Sequence, residues 1–221
     1  MVETTWTEEQ ATGPKKRSIP TWLWFCGGGC LLAVLLGVVA IGIGFRMLNE
    51  ARDVEKQWPR LTQILPCDDP RPPPEMQFVI GTHVAGDQYQ FLDSRGFQVQ
   101  FQNHTGTDGT KARKDMFAAD NPKFPQNLVV MKFEDIQPGT VEVQGRTLRL
   151  LRMRMELPKA LNKMIPEEGR QGISSMAFVD LTPEGREGML LVQFQRMKGT
   201  EPVADDEIRE ILKPFHVGPD R

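Results

Sequence analysis

Cysteine is scarce in this chain of 221 residues. The three cysteines are Cys26, Cys30 and Cys67, and the first two lie inside an apolar run. Three thiols in this distribution exclude the disulfide framework of a small secreted domain. Two interpretations remain for Cys67: a free or partly buried thiol, or a disulfide with its own copy in a dimer.

The chain also lacks a strong charge imbalance. Its 27 lysines and arginines against 29 aspartates and glutamates give a formal net charge of −2. A dedicated nucleic-acid binder would carry a clearly basic balance, so we expect no nucleic acid among the partners. Arg149, Arg152 and Arg154 lie close together in one predicted strand. They fit an anion-binding surface, or a solvated strand face paired with carboxylates on its neighbours.

Reaction motifs are missing as well. The three histidines are dispersed: His83, His104 and His216. None has a neighbour at the spacing of a zinc site, and no serine lies in a nucleophile elbow. The polar segment 104–114 matches neither the phosphate-binding nor the calcium-binding loop pattern, and we predict a flexible surface loop there. We therefore predict no catalytic residues, no metal site and no cofactor. Asn103 begins a glycosylation sequon, which matters only in a eukaryotic secretory setting.

One long stretch lacks charged side chains altogether. The run from Trp22 to Phe45 contains no aspartate, glutamate, lysine or arginine. As a helix it would be ~36 Å long, which is enough to cross a hydrocarbon core of ~30 Å. We predict a single transmembrane helix over residues 21–45, preceded by a disordered cytoplasmic tail over residues 1–20. The alternative is a cleaved signal peptide, with Val38-Val39-Ala40 before the cut.

A basic cluster predicts the orientation of this helix. Lys15, Lys16 and Arg17 lie on the short tail just before the span, although basic residues also follow it. The compact cluster favours a cytoplasmic N-terminus and an extracytoplasmic C-terminal domain at the cell membrane.

Small residues recur along one face of the predicted span at alternating steps of four and three. They are Cys26, Cys30, Ala33, Gly37, Ala40 and Gly44. Small side chains let two helix backbones approach closely in lipid, so the stripe predicts a homo-oligomer formed through the transmembrane helix. The alternative is that the stripe reflects composition alone, since small residues are common in membrane helices.

Residues 46–75 are predicted to form a juxtamembrane helix and a proline-rich stalk. An apolar seam continues through Met47, Ala51, Val54, Trp58, Leu61 and Leu65. It would pair with another helix or pack against the protein's own domain. We expect Pro59 to kink the helix or to begin a second one. Five prolines between Pro66 and Pro74 then favour an extended spacer.

From Met76 onward the apolar period changes to two, which indicates β-strands. The predicted strands are residues 77–84, 88–92, 97–102, 128–133, 141–143, 147–157, 174–181 and 189–195. A short helix is predicted at 158–165. Asp205 or Asp206 is predicted to cap a C-terminal amphipathic helix, whose apolar stripe is Ile208, Ile211, Leu212 and Phe215. The sequence therefore predicts an α+β domain over residues 76–217, with a mostly antiparallel sheet closed by the C-terminal helix.

The sequence indicates where the protein sits without indicating a biochemical activity. We expect a membrane-anchored binding or scaffold module of the cell envelope, whose partners are the lipid bilayer and an unknown envelope protein. The alternative is a membrane-tethered, hydrolase-like enzyme with a site assembled from loops 103–114 and 166–172. A deep pocket holding His83, His104 and an acid would favour the enzyme. A shallow surface with an exposed apolar patch would favour the binding module.

Overall fold

The computed structural model describes residues 42, 44–83, 86–118, 122, 132–156 and 173–218. The chain divides into two compact units, Met1–Met47 and Leu48–Arg221. In the first unit the described residues are helical and exposed. Among the helices that are described, none combines the length and the apolar character needed to cross a membrane. The predicted tail, nearly all of the predicted span and its small residues from Cys26 to Ala40 lie outside the described residues.

A seven-stranded antiparallel sheet forms the centre of the second unit in its described part. The strands are β1 Met76–Thr82, β2 Asp87–Asp93, β3 Phe97–His104, β4 Lys132–Val143, β5 Arg146–Glu156, β6 Ile173–Asp180 and β7 Met189–Arg196. Their order across the sheet is β1-β2-β3-β7-β6-β5-β4. The predicted α+β class and the antiparallel sheet are confirmed. The predicted helix 158–165, the loop 166–172 and the start of the strand 128–133 lie outside the described residues.

Three helices with defined bounds accompany the sheet: α1 Val54–Ile64, α2 Gly106–Met116 and α3 Asp205–Leu212. Helices α1 and α3 contribute to the larger core, where Trp58, Leu61 and Ile208 pack with Phe91 and the other inward-facing strand residues. A smaller core on the opposite sheet face is rich in methionine and includes Met116 of α2. Each face of the sheet is therefore covered by helix in the described part of the chain.

Strand β5 contributes to both cores. Met153 and Met155 face the methionine-rich core, and Leu148 and Leu150 face the larger one. Beyond Leu150 the second face becomes polar, and Arg154 is exposed. This switch follows from the period of two in a strand, which places alternate side chains on opposite faces.

The predicted strands 128–133 and 141–143 belong, in their described part, to the single strand β4. The register with β5 shifts between Glu134 and Gln137, where the strand carries an irregularity. Asp135 has a φ of 51°, and such a left-handed residue is typical of a bulge that lets a strand continue past an irregular register. The prediction of two separate strands is wrong here, because β4 continues through the irregular stretch and pairs with β5 on both sides of it.

The helical character predicted for residues 46–65 is confirmed, but the position of the break is not. The helix is interrupted at Asp53, whose carboxylate accepts a hydrogen bond from the Glu55 amide at 3.2 Å and caps α1. Pro59 lies inside α1, so the predicted start of a second helix at this residue is wrong, and the kink stays a prediction. Of the two interpretations of the apolar seam, packing on the protein's own domain holds for Trp58, Leu61 and Leu65, because all three are buried in the larger core.

Helix α3 carries the predicted apolar stripe, and Ile208, Ile211 and Leu212 are buried in the larger core. The N-cap residue is Ala204, not Asp205 or Asp206. The Glu207 carboxylate accepts a hydrogen bond from the Ala204 amide at 2.8 Å, which satisfies the backbone N–H group at this helix end.

Candidate functional site

Helix α2 occupies the segment that we predicted as a flexible loop over residues 104–114. Gly109 allows a close approach to strand β3, because a Cβ atom there would lie 2.3 Å from the His104 carbonyl oxygen. Arg113 donates to the Asp180 carboxylate at 2.7 Å. Asp180 lies at the end of β6 and is 3% exposed, so this ion pair links α2 to β6 through a buried carboxylate. Tertiary contacts, rather than an apolar stripe, hold this helix.

His83 forms the hydrogen-bonded pair that the enzyme hypothesis requires, without the rest of a catalytic arrangement. Its Nδ1 lies 2.7 Å from the Asp87 carboxylate. Its Nε2 lies 2.9 Å from both the Arg60 guanidinium and the Gln57 side-chain oxygen. Neither of these described partners is a nucleophile, in contrast to the hydroxyl or thiol that a histidine base activates.

A chain of polar contacts leads from this histidine to the β6–β7 loop. The Asn103 amide donates to the second oxygen of Asp87 at 3.1 Å. Arg186 in turn donates to the Asn103 side-chain oxygen at 3.2 Å. Asn103 is 5% exposed, so the amide nitrogen of the predicted sequon is not available for glycosylation in the folded domain. His104 lies beside Gly86, the residue before Asp87, and its Nε2 is 3.5 Å from the Gln102 side chain. His216 Nε2 is 2.7 Å from Asp68.

Tyr89 lies beside the His83 ring, with a centroid distance of 5.8 Å. It is the one tyrosine of the chain. Its hydroxyl is buried and has no hydrogen-bond partner among the described residues. Burial, followed by the negative charge of Asp87, raises the pKa of Tyr89 to about 12. The hydroxyl is therefore neutral near pH 7 and unsuited to act there as a base.

Two of the four arginines of strand β5, Arg152 and Arg154, pair with carboxylates. Arg152 bonds with Asp205 of α3 and also donates to the Val203 carbonyl. Arg154 lies 3.2 Å from Asp135 on β4. Of the two interpretations of these arginines, the paired strand face is the one observed for Arg152 and Arg154.

A cleft opens at one end of the sheet, between the C-terminal end of α1, the β4–β5 turn, the β6–β7 loop and the C-terminal segment 216–218. Its volume is about 750 Å³, within the range of small-molecule sites. Arg146 and Arg186 line it together with apolar side chains that include Ile64, Leu181 and Leu190. No aspartate or glutamate is among its described lining residues. We call this the arginine cleft.

The β4–β5 turn builds one wall of the arginine cleft. Gln144 and Gly145 have φ values of 50° and 79°, which is the left-handed conformation of a tight hairpin turn. The Gln144 amide donates to the Phe215 carbonyl at 2.7 Å, and its oxygen accepts from the Val217 amide at 2.9 Å. This side chain therefore holds the C-terminal segment against the turn.

Arg146 fixes the adjacent wall. Its guanidinium donates to the Val217 carbonyl at 2.9 Å and to the Thr182 carbonyl at 3.0 Å. A guanidinium has five N–H donors, so two bonds to protein leave capacity for a ligand. The same holds for Arg186, whose described side-chain bond to Asn103 uses one donor. The cleft thus presents two fixed positive charges beside an apolar floor.

A second cleft of about 640 Å³ adjoins the first and shares Arg146 with it. We call it the outer cleft. Its lining differs in charge, because Asp180 and Glu184 accompany Arg113 and the exposed Arg149. The two clefts thus differ in net charge although they lie side by side.

Cys67 forms no disulfide within the described part of the chain and is of intermediate exposure, and its disulfide with a second copy stays a prediction. Burial, with smaller effects of nearby aspartates, raises the pKa of the Cys67 thiol. Its backbone forms an isolated antiparallel bridge with Phe215. The adjacent Pro66 carbonyl accepts from the His216 amide at 2.7 Å. This end of the proline-rich segment is therefore attached to the C-terminal segment.

Neither a protein-family model, nor a curated protein, nor a solved structure matches this chain.

Sequence reasoning identified neither Arg146 nor Arg186. Both arginines lie in or beside turns that the sequence predicts, the Gln144-Gly145 turn and the loop between β6 and β7. The sequence does contain a signal for this site, namely an arginine in each of two turns. These turns are known to lie at the same end of the sheet only once the strand order is known, which pairs β5 with β6 and β6 with β7.

Proposed function

We propose that the protein is a single-pass membrane protein whose α+β domain is an extracytoplasmic binding module of the cell envelope, with the arginine cleft as its binding site. The observation that carries the proposal is the cleft itself: two arginines and an apolar floor, with no acidic side chain among the described lining residues. The anchoring part rests on the uncharged run from Trp22 to Phe45.

The enzyme alternative has weaker support. Of its two loops, 103–114 consists of the end of β3 and most of α2, and 166–172 lies outside the described residues. The His83–Asp87 pair lines neither the arginine cleft nor the outer cleft. A binding module requires only a shaped, charged concavity, and the described residues supply one.

The proposed membrane topology, with a cytoplasmic N-terminal tail and an extracytoplasmic domain, is tested by cysteine accessibility in the full-length chain. All three native cysteines are replaced by serine, and single cysteines are introduced as Thr5→Cys in the tail or Lys213→Cys at an exposed position beyond α3. We expect a membrane-impermeant maleimide to label Lys213→Cys on intact cells and Thr5→Cys only after lysis. Labelling in the reverse order, or recovery of the protein in the soluble fraction, contradicts the proposal.

Self-association through the transmembrane helix belongs to the same proposal. Ala33→Leu with Gly37→Leu places two large side chains on the small-residue face and should reduce the oligomer in membranes. Leu32→Ala with Leu36→Ala changes the same two turns on another face and serves as the control. An oligomeric state that is the same for both double variants contradicts this role of the stripe.

A further inference from the structure

The arginine cleft has a lining that selects for one kind of ligand. We infer that it binds a small amphipathic anion, in which a carboxylate or phosphate head is joined to a short unbranched apolar chain. The inference rests on the proposed function, because it names the ligand class of the same site. Both arginines would contact the head, and the apolar floor made by Ile64, Pro66 and Pro183 would contact the chain.

The charge of the lining determines the head group. Arg146 and Arg186 both retain N–H donors after their described bonds to Val217, Thr182 and Asn103. Guanidinium groups match the planar geometry of carboxylate and phosphate oxygens. His216 at the rim pairs with Asp68, whose side chain is 86% exposed, so this pair is solvated. Among the lining residues of the arginine cleft no acid opposes an anion, whereas two acids do so in the outer cleft.

The remaining lining determines the body of the ligand. Ile64 and Pro183 are half-buried and Pro66 is exposed, so these three side chains offer an apolar surface to a ligand. Leu181 and Leu190 are each at most 2% exposed and belong to the larger core, and a backbone hydrogen bond of 2.8 Å joins them. A free inorganic ion would leave this surface in contact with water, so an apolar chain on the ligand gains affinity from it.

The test measures binding of decanoate and decyl phosphate to the full-length protein in nanodiscs of neutral lipid, by calorimetry with empty nanodiscs as the blank. We expect saturable binding at one site per chain. Affinity should rise about fourfold per methylene from hexanoate to decanoate, as for a chain that leaves water. Decyltrimethylammonium should not bind in this way. The ratio of decanoate to decyl phosphate affinity shows which head group the site prefers.

Matched arginine variants locate the site. Arg186→Gln should weaken decanoate binding at least tenfold, because it removes a charge-assisted hydrogen bond. Arg149→Gln removes the same charge from the outer cleft and should change the affinity less than twofold. Gln63→Glu adds a carboxylate at an exposed lining position and should also weaken binding. Arg186→Lys keeps the charge and should restore part of the affinity. Because Gln63→Glu leaves the Arg186–Asn103 bond in place, its effect separates ligand binding from that structural bond.

Four results would overturn the inference. Two concern decanoate and its homologues: an equal loss of affinity in Arg186→Gln and Arg149→Gln, and an affinity that does not depend on chain length. The other two are binding of inorganic phosphate as tight as that of decyl phosphate, and binding to anionic lipid vesicles without binding of the free amphiphiles. Cleft-dependent binding of a neutral or cationic amphiphile alone would contradict the ligand class and leave the binding module intact. Binding of decanoate by a chain that fails the cysteine test would contradict the proposed location and leave the ligand class intact.

Discussion

Trp58 should contribute a large share of the stability of the domain, although it lies in the segment predicted as a stalk. The side chain is 3% exposed. Its ring contacts Phe91 and Phe215 at centroid distances of 6.1 and 6.0 Å, and its indole N–H donates to the Asp69 carbonyl at 3.1 Å. Truncation of a buried aromatic residue costs about 3–5 kcal/mol, and these extra contacts place Trp58→Ala at about 4 kcal/mol.

The assay is urea unfolding of the full-length protein in detergent, followed by circular dichroism of the sheet. With a slope of about 2 kcal/mol per molar urea, a loss of about 4 kcal/mol lowers the midpoint by about 2 M. Trp58→Phe keeps the ring contacts and should lose about half as much.

Met47 supplies the matched control, because the sequence places it in the same apolar seam. It is 67% exposed in the structure, so Met47→Ala should change the free energy of unfolding by less than about 0.5 kcal/mol. Equal small effects of Trp58→Ala and Met47→Ala, with midpoint shifts below about 0.5 M, would show that α1 is a stalk rather than part of the core.

Two further predictions concern buried polar groups. Arg113→Met leaves the Asp180 carboxylate buried and unpaired by this arginine, so it should destabilise the domain by about 3 kcal/mol in the same urea assay, whereas Lys111→Met on an exposed face of α2 should have little effect. A loss below about 1 kcal/mol for Arg113→Met would refute the structural role of the pair. Because Tyr89 is the chain's one tyrosine, its phenolate absorbance should titrate near pH 12 in the folded protein and near pH 10 in urea. Because the pKa of Tyr89 is higher in the folded than in the unfolded protein, its titration contributes to the free energy of unfolding. This contribution is fully present below about pH 10 and is lost as the pH rises through 12. A folded-state midpoint near 10 would contradict the burial of the hydroxyl.

Most strands could be predicted from the sequence because burial in an antiparallel sheet leaves a direct pattern. In β3, Phe97, Val99 and Phe101 alternate with half-buried glutamines, and the buried side chains all face the larger core. The same period of two places the buried side chains of β5 alternately in the two cores. A helical period predicts the apolar stripe of α3. These features depend on local periodicity alone.

Helix α2 could not be predicted in this way because its stabilising contacts are remote in sequence. Its residues are mostly glycine, threonine and charged side chains, which favour loops when read locally. The helix is held by Arg113 on Asp180 and by the fit of Gly109 against β3. Tertiary contacts of this kind override local propensity.

The sequence contains a signal for the helix break at Asp53, but the signal at Pro59 is stronger. An aspartate that precedes a valine and a glutamate is a reasonable N-cap, but a proline is the stronger sequence signal for a helix break. The arginine cleft was out of reach for a different reason. Its walls come from a turn, a loop, a helix end and the C-terminal segment, and only the strand order brings them together.

The most direct test of the binding site is amide hydrogen exchange of the full-length protein in nanodiscs, with and without decanoate. We predict slower exchange in the β6–β7 loop over residues 181–188 and in residues 216–218, which form two walls of the arginine cleft. The same protection should be absent in Arg186→Gln and present in Arg149→Gln. Unchanged exchange at both segments with saturating decanoate, or protection confined to other parts of the domain, would contradict the arginine cleft as the binding site.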